Sequence, residues 1–505
     1  MSFDYIVIGA GSAGSAVAAR LSEGGTASVL LLEAGPADTK REIHVPAMFP
    51  QLFKSEVDWA YETEPQAALN GRRVFNPRGK MLGGCSSINA MIYQRGNPKD
   101  YDHWASLGNQ GWSYADLLPL FKRSENFEPG ASEYHGVGGP LNVADLRDPN
   151  PLSRAFIQAC QQVGLPLNDD HNGAAQEGFG FYRVTQKDGQ RHSTAAAYLK
   201  PATSRDNLRV ETDALASRLL FDGKRCTGVA YLQKGQAVEA TANREVIVSS
   251  GAINSPQLLM LSGIGDGDHL RSMGIPVIHH LPGVGQNLFD HLVFWLSFVC
   301  NAPITLAVTS NLAEAGGFTK VLADSPVPDL QFHFLPSYFV NHGFDNPPGH
   351  GFSIGATLVW PKSVGCIKLR TGSPMDYPAI QPNLLAHEDD MTILLEGAKL
   401  ARRIAAAPSL ASYREREYLP GEQTQSDDAL REAIRRQVQT LYHPVGTCKM
   451  GADPMAVVND RLQVHGIDGL RVADASIMPT IVNANTNIPS IVIGEKAADL
   501  TRNSS

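Results

Sequence analysis

The sequence predicts a mixed α/β protein in two parts. One part is a parallel sheet wound with helices, and the other is an antiparallel sheet covered by helices. Three observations carry this. The chain opens as strand, glycine turn, helix and strand. Two later stretches read as buried strands that run on into helices. The material between them alternates apolar and polar residues, as half-buried antiparallel strands do.

The opening elements are the run Phe3 to Ile8, the turn Gly9-Ala10-Gly11-Ser12-Ala13-Gly14, an Ala-rich helix to about Ser22, and the strand Ser28 to Leu32, which ends on Glu33. From Gly14 to Glu33 is 33 − 14 = 19 positions. At that offset an acid at the tip of the second strand accepts the hydroxyls of an adenosine ribose. Each glycine has a task in such a Rossmann-like unit. The first makes the turn, the second lets backbone N–H groups approach a pyrophosphate, and the third lets helix and strand pack closely. The helix start supplies partial positive charge to the phosphates. Glu33 repels a 2′-phosphate, which disfavours NADP; FAD and NAD share the same ADP half, and the fingerprint accepts either.

Further along, Arg244 to Gly251 reads as a buried strand, followed by a helix from Ser255 with Pro256 in its first turn. Leu470 to Asp474 is a short strand, and a helix with Pro489 at its start begins at Ile488. The nucleotide-binding domain is therefore expected to be discontinuous, formed by residues 1–150, 195–290 and 460–505. Asp329 to Phe334 and Cys366 to Arg370 are expected strands of the second, substrate-binding domain, formed by 151–194 and 291–459.

Composition narrows the partners. The 505 residues carry 43 Lys plus Arg against 51 Asp plus Glu, with 19% charged and 43% apolar residues, which excludes a disordered or fibrous chain. With no run of Lys and Arg, nucleic acid is not an expected partner. No stretch reaches the roughly 18 consecutive apolar residues of a membrane span, and the N-terminus shows no basic leader, so a cytoplasmic location is expected. Cysteines 85, 160, 226, 300, 366 and 448 lie far apart without metal-ligand spacing, which predicts reduced thiols and no metal site.

Several segments resemble the glucose-methanol-choline (GMC) flavoprotein oxidoreductases, in the branch of choline-dehydrogenase-like and aromatic-alcohol-oxidase-like enzymes. They are Gly79 to Asn89, Gly251 to Leu259 with Ser262 to Gly265, Pro282 to Leu288, His443 to Gly451, Asp474 to Ser476 and Asn485 to Asn487. The resemblance spans nearly the whole chain in the family's order. It implies an FAD in the Rossmann-like domain, held by the turn of Gly9, Gly11 and Gly14, with Ser12 and Ala13 at the pyrophosphate and Glu33 and Ala34 at the ribose and adenine. It places Cys85, Asn89, Ala90, Met91 and Ile92 along the flavin, the backbone of Ala216 at the adenine, and Trp59, Tyr442, Asp474, Ala475, Asn487 and Ile488 around the rest. Members that attach FAD covalently carry a histidine immediately before the Asn of the first signature. Here that position is Ile88, which implies a non-covalent flavin.

The same resemblance makes His443 the base and Asn487 its partner. Oxidation of an alcohol removes a proton from oxygen and a hydride from carbon. An imidazole suits the first task, and flavin N5 takes the hydride. Asn487 is expected to donate to the developing alkoxide, with Asn485 and Thr486 left to cap the following helix. The implied substrate is a primary alcohol, aromatic or choline-like, oxidised to the aldehyde, with reoxidation by oxygen or another electron acceptor. Phe332, Phe334, Tyr338, Phe339 and Tyr442 are candidate substrate aromatics, although Phe332 and Phe334 equally suit a sheet core. Two other readings remain open at this point. Family relatives cleave cyanohydrins with a redox-silent flavin, and a non-catalytic flavin-binding protein is the third possibility.

Overall fold

The computed structural model describes residues 1–503, and its architecture rests on two large sheets. In the first, the strands Leu208–Glu211, Val29–Leu32, Ser2–Ile8, Gln236–Val248 and Leu470–Val472 lie side by side and parallel. Val29–Leu32 is buried throughout, which is why it reads as an unbroken apolar run. Gln236–Val248 is longer than expected. Its first half pairs antiparallel with Arg225–Gln233, which pairs in turn with Ala214–Asp222, so an antiparallel flap extends the parallel core.

Two helices from opposite ends of the chain cross on this sheet. Ser12–Leu21 follows the glycine turn, and Asn487–Arg502 closes the chain. Residue 494 must be glycine, because a Cβ there would lie 2.4 Å from the Ala13 carbonyl oxygen. One residue on, the carboxylate of Glu495 is fully buried and accepts from Arg20 Nε (2.9 Å), Arg123 Nε (2.9 Å) and Tyr198 Oη (2.8 Å). This buried acid locks the crossing.

The helix after Gln236–Val248 begins at Gly251, earlier than the sequence suggests, and runs to Leu261. Pro256 therefore sits inside it instead of in its first turn. A proline there cannot donate to the carbonyl four residues back. The Thr447 hydroxyl takes that place, donating to the Ala252 carbonyl at 2.6 Å.

The second sheet is antiparallel, in the order Arg414–Leu419, Leu292–Cys300, His350–Leu358, Leu330–Leu335, Ala315–Thr319 and Gly178–Phe181. The helix Glu388–Ala406 covers it, sharing a core with Phe332, Phe334, Phe352 and Ile354. The expected strand at Cys366 differs in placement. Cys366–Lys368 pairs only with Ala379–Gln381, and Ile367 and Ile380 join the core of the first sheet.

A third core fills the space between the sheets, where Phe49, Phe53, Ile88 and Ile92 meet Trp295, Leu335 and Phe339. Among the described residues no helix is long and apolar enough to cross a membrane. Glu495→Ala should unfold at a lower urea midpoint. Breaking a buried ion pair costs about 3–5 kcal/mol, and the partial exposure of Arg20 and Arg123 places this case at the lower end. An unchanged midpoint would show that the crossing needs no central carboxylate.

Candidate active site

A cavity runs from the carboxyl ends of the parallel strands to the underside of the antiparallel sheet. At its first end the three glycines of the turn have distinct surroundings. Gly9 has φ +99°, which turns the chain out of the strand. A Cβ on Gly11 would meet nothing within 4 Å, so open space faces the backbone there, and a Cβ on Gly14 would lie 1.9 Å from the Gly9 oxygen. Glu33 is buried and accepts from Ala10 N (3.0 Å) and Gly35 N (2.9 Å). Burial pushes its carboxyl up to about 7 against the pull of those N–H groups.

The helices Ser12–Leu21 and Asn487–Arg502 both begin on this cavity, and neither has a side-chain cap. Their first N–H groups are therefore free to meet a diphosphate. Open backbone at Gly11, two uncapped helix starts and an acid at the strand tip fit the ADP half of FAD. Gly83 and Gly84 serve this end by close packing. A Cβ on Gly84 would lie 2.8 Å from Gly11 Cα, and Gly83 N donates to the Ala10 carbonyl at 2.8 Å, so the pair is stitched onto the glycine turn.

Of the residues read from the sequence, Gly9, Gly11, Ser12, Ala13, Glu33, Ala34, Trp59, Cys85, Asn89, Ala90, Met91, Ile92, Ala216, Tyr442, His443, Asp474, Ala475 and Asn487 all line the cavity. Gly14 and Ile488 do not. Gly14 is spent on packing helix against strand, and the Ile488 side chain is fully buried in the core of the first sheet. Met91 and Tyr442 sit in the left-handed region at φ 57° and 65°, a conformation that costs energy for side chains of their size and that clusters at functional sites.

At the far end, the half-buried ring of His443 stands between the two parts of the molecule. Its backbone N–H donates to Asp290 Oδ1 at 2.8 Å, and its Nδ1 lies 3.0 Å from Nδ1 of the fully buried His291. Burial holds the His443 imidazole well below its ordinary pKa, and His291, Arg78 and His333 push the same way. His443 is thus a neutral ring with a lone pair to offer.

The expected partner of His443, Asn487, makes its hydrogen bond elsewhere. Asn487 is the first residue of the last helix, and its Oδ1 accepts from Ser12 Oγ at 2.6 Å, at the diphosphate end. Asn485, read from the sequence as a cap, faces His443 instead, with Nδ2 at 3.4 Å from Nε2. The helix starts one residue later than a cap at Asn485 requires, with Thr486 in the cap position, which leaves Asn485 in the preceding loop. His291, Gln331 and His333 also went unread. Asp290-His291 lies just past the Pro282 to Leu288 segment, and Gln331 and His333 are the polar positions of an alternating strand.

The rest of the far wall is apolar: Phe49, Phe53, Trp295, Leu335, Phe339 and Leu441. A Rossmann-like sheet whose nucleotide cavity continues to a histidine under an antiparallel sheet fits a dinucleotide-dependent oxidoreductase. The chain belongs to the GMC oxidoreductase family, whose N-terminal model matches residues 3–293 and whose C-terminal model matches 361–494. It is 46% identical to the mitochondrial choline dehydrogenase of Homo sapiens, over 99% of this chain and 90% of that protein. It is also 46% identical to an alcohol dehydrogenase [acceptor] of Pseudomonas putida, over 99% of this chain and 95% of the relative. Among solved structures, pyridoxine 4-oxidase from Mesorbium loti superposes with a TM-score of 0.93 at 33% identity, covering 98% of each chain. The protein is an FAD-dependent oxidoreductase of alcohols.

A base works only while unprotonated, so a depressed pKa extends its working range toward acid. The acid limb of kcat/KM that belongs to His443 is therefore expected below pH 6.5, the ordinary imidazole value. A limb at or above 6.5 that vanishes in His443→Gln would contradict the enclosed, neutral ring.

Proposed function

We propose that His443 Nε2 takes the hydroxyl proton of the alcohol while Asn485 Nδ2 donates to the same oxygen. The observation that supports this is the pairing of these two side chains on the cavity wall, beside the apolar chamber. FAD, when bound, supplies the hydride acceptor. Gly9, Gly11, Ser12, Ala13, Glu33 and Ala34 hold its ADP half, with Trp59, Ala216 and Asp474 nearby. Asn89 to Ile92, Cys85, Tyr442 and Ala475 border its flavin half. In this reading Asn487 belongs to the cofactor, tied to Ser12 at the diphosphate, and the alkoxide is held by Asn485 and the protonated imidazole. The domain division follows from the same roles: 1–150, 195–290 and 460–505 carry FAD, and 151–194 with 291–459 cover the alcohol.

The chamber also bears on the substrate. The acids that line the cavity are Glu33, Asp376 and Asp474. Glu33 and Asp474 are engaged at the nucleotide end, where Asp474 accepts from Gly251 N and Ser255 Oγ. Asp376 lies with Tyr377 and Gln257, beside the helix Gly251–Leu261. Among the described residues no carboxylate lines the chamber of Phe49, Phe53, Trp295, Leu335 and Phe339, and Arg78 lies close enough to oppose a cation at His443. Choline would thus rest on aromatic faces alone, each worth about 0.5–2 kcal/mol. A neutral primary alcohol with an aromatic or alkyl body meets the wall without that penalty. Oxygen or another acceptor completes turnover, as an oxidase or a dehydrogenase.

Mixing the FAD-loaded protein anaerobically with a panel of alcohols tests the reading. Neutral aromatic and alkyl alcohols should bleach the flavin faster than choline. His443→Ala should slow this by about 10²–10⁴, and Asn485→Ala by about 10²–10³, the range for a lost oxyanion donor. Asn487→Ala should weaken FAD retention more than it slows the reaction. A reaction slowed more by Asn487→Ala than by Asn485→Ala, with FAD retained, would return the role to Asn487, and no bleaching by any alcohol would favour a redox-silent flavin.

Ile88 is buried and offers no attacking atom to the cofactor, which supports a non-covalent flavin. Acid precipitation should leave the yellow colour in the supernatant. Colour in the pellet would point to attachment elsewhere on the wall.

A further inference from the structure

The strand Leu330–Leu335 sends alternate side chains to opposite faces. Phe332 and Phe334 enter the core under the helix Glu388–Ala406, and Gln331 and His333 face the other way, with His333 reaching the cavity. The Gln331 amide is fully buried. Its Nε2 lies 3.2 Å from Tyr182 Oη and 3.2 Å from Asn485 Oδ1.

The polarity of this chain follows from a single proton. Tyr182 donates its hydroxyl hydrogen to the Phe332 carbonyl at 2.6 Å. It reaches that carbonyl because residue 316 is glycine, where a Cβ would lie 2.3 Å from Tyr182 Oη. With its proton committed, the tyrosine oxygen meets Gln331 only as an acceptor, so the glutamine must present its NH2 group. The same NH2 group faces Asn485, which therefore turns its oxygen to Gln331 and its own NH2 to His443 Nε2. A ring nitrogen that faces a donor carries the lone pair, and a neutral imidazole then bears its proton on the other nitrogen. That nitrogen is Nδ1, which donates to His291 Nδ1 at 3.0 Å.

We propose that Tyr182 and Gln331 are positioning residues: through Asn485 they hold His443 as the Nδ1–H tautomer, so that the nitrogen toward the cavity is the basic one. This rests on the reading of His443 as the base. The arrangement leaves Gln331 Oε1 buried without a partner. An orphaned acceptor costs stability wherever it occurs, and here it accompanies a fixed direction of hydrogen bonding at the site.

The test uses the FAD-loaded protein with 15N-labelled histidine. Ring-nitrogen shifts report the tautomer, and His443→Gln identifies the His443 signals. The wild type should show a protonated Nδ1 and a bare Nε2. Gln331→Glu places acceptors against both Tyr182 and Asn485. The Asn485 amide should then turn over and present its oxygen to Nε2, reversing the His443 tautomer. The plateau of kcat should fall on the order of 10²-fold or more, with KM little changed. His291, His333 and Arg78 around the ring, and Asp290 on its N–H, are the same in this variant. A purely electrostatic effect of the new carboxylate would move the acid limb upward, whereas tautomer reversal lowers the plateau.

Tyr182→Phe removes the anchor without adding charge. It should give mixed tautomers and a smaller loss of kcat, and it carries the test if Gln331→Glu fails to load FAD. A wild-type signal with the proton on Nε2 would overturn the proposal. So would an unchanged tautomer and unchanged kcat in FAD-loaded variants. A protein that oxidises no alcohol would defeat the base assignment, while the ring-nitrogen shifts would still decide the chain of hydrogen bonds.

Discussion

The whole site depends on a contact between two helix starts that are 487 − 12 = 475 residues apart. Ser12 Oγ donates to Asn487 Oδ1, Gly494 lets the backbones touch at Ala13, and Glu495 pins the crossing with charges from Arg20 and Arg123. Two uncapped helix ends that meet leave N–H groups to be satisfied, and a diphosphate is suited to that task. The same contact fixes the loop just before the second helix. Asn485 thereby comes to rest over His443, on the side of the antiparallel sheet. In the proposed reading, cofactor binding and proton transfer are two consequences of one packing geometry.

The second sheet contributes more than a roof. Its strand Leu330–Leu335 puts aromatic rings into the core on one face and Gln331 and His333 toward the cavity on the other. Burial then keeps the surrounding imidazoles uncharged, with His291 and His333 both held down at about 3. A neutral, largely apolar chamber against a nucleotide cleft suits chemistry in which a proton leaves one way and a hydride the other.

The nucleotide half was legible in the sequence because local rules dictate it. The turn Gly9 to Gly14, the apolar strand before it and Glu33 after it occur at fixed spacing, and the structure places them as that spacing requires. The antiparallel strand at Gln331 was legible from its alternation. The partner of His443 was not. Asn485 and Asn487 are two positions apart, and which one faces His443 depends on where the helix begins. That start is set by the Ser12 contact across the whole length of the chain and leaves no local trace. Cys366–Lys368 illustrates the same limit. Its alternation correctly marks a strand, but its pairing with Ala379–Gln381 and its place in the first core are long-range facts.

The most direct measurement is a crystal structure of the FAD-loaded protein with a neutral aromatic aldehyde product bound. The account requires the carbonyl oxygen to lie within hydrogen-bond reach of both His443 Nε2 and Asn485 Nδ2, with Asn487 still on Ser12. An oxygen held by Asn487, or a His443 ring turned away from the ligand, would contradict it.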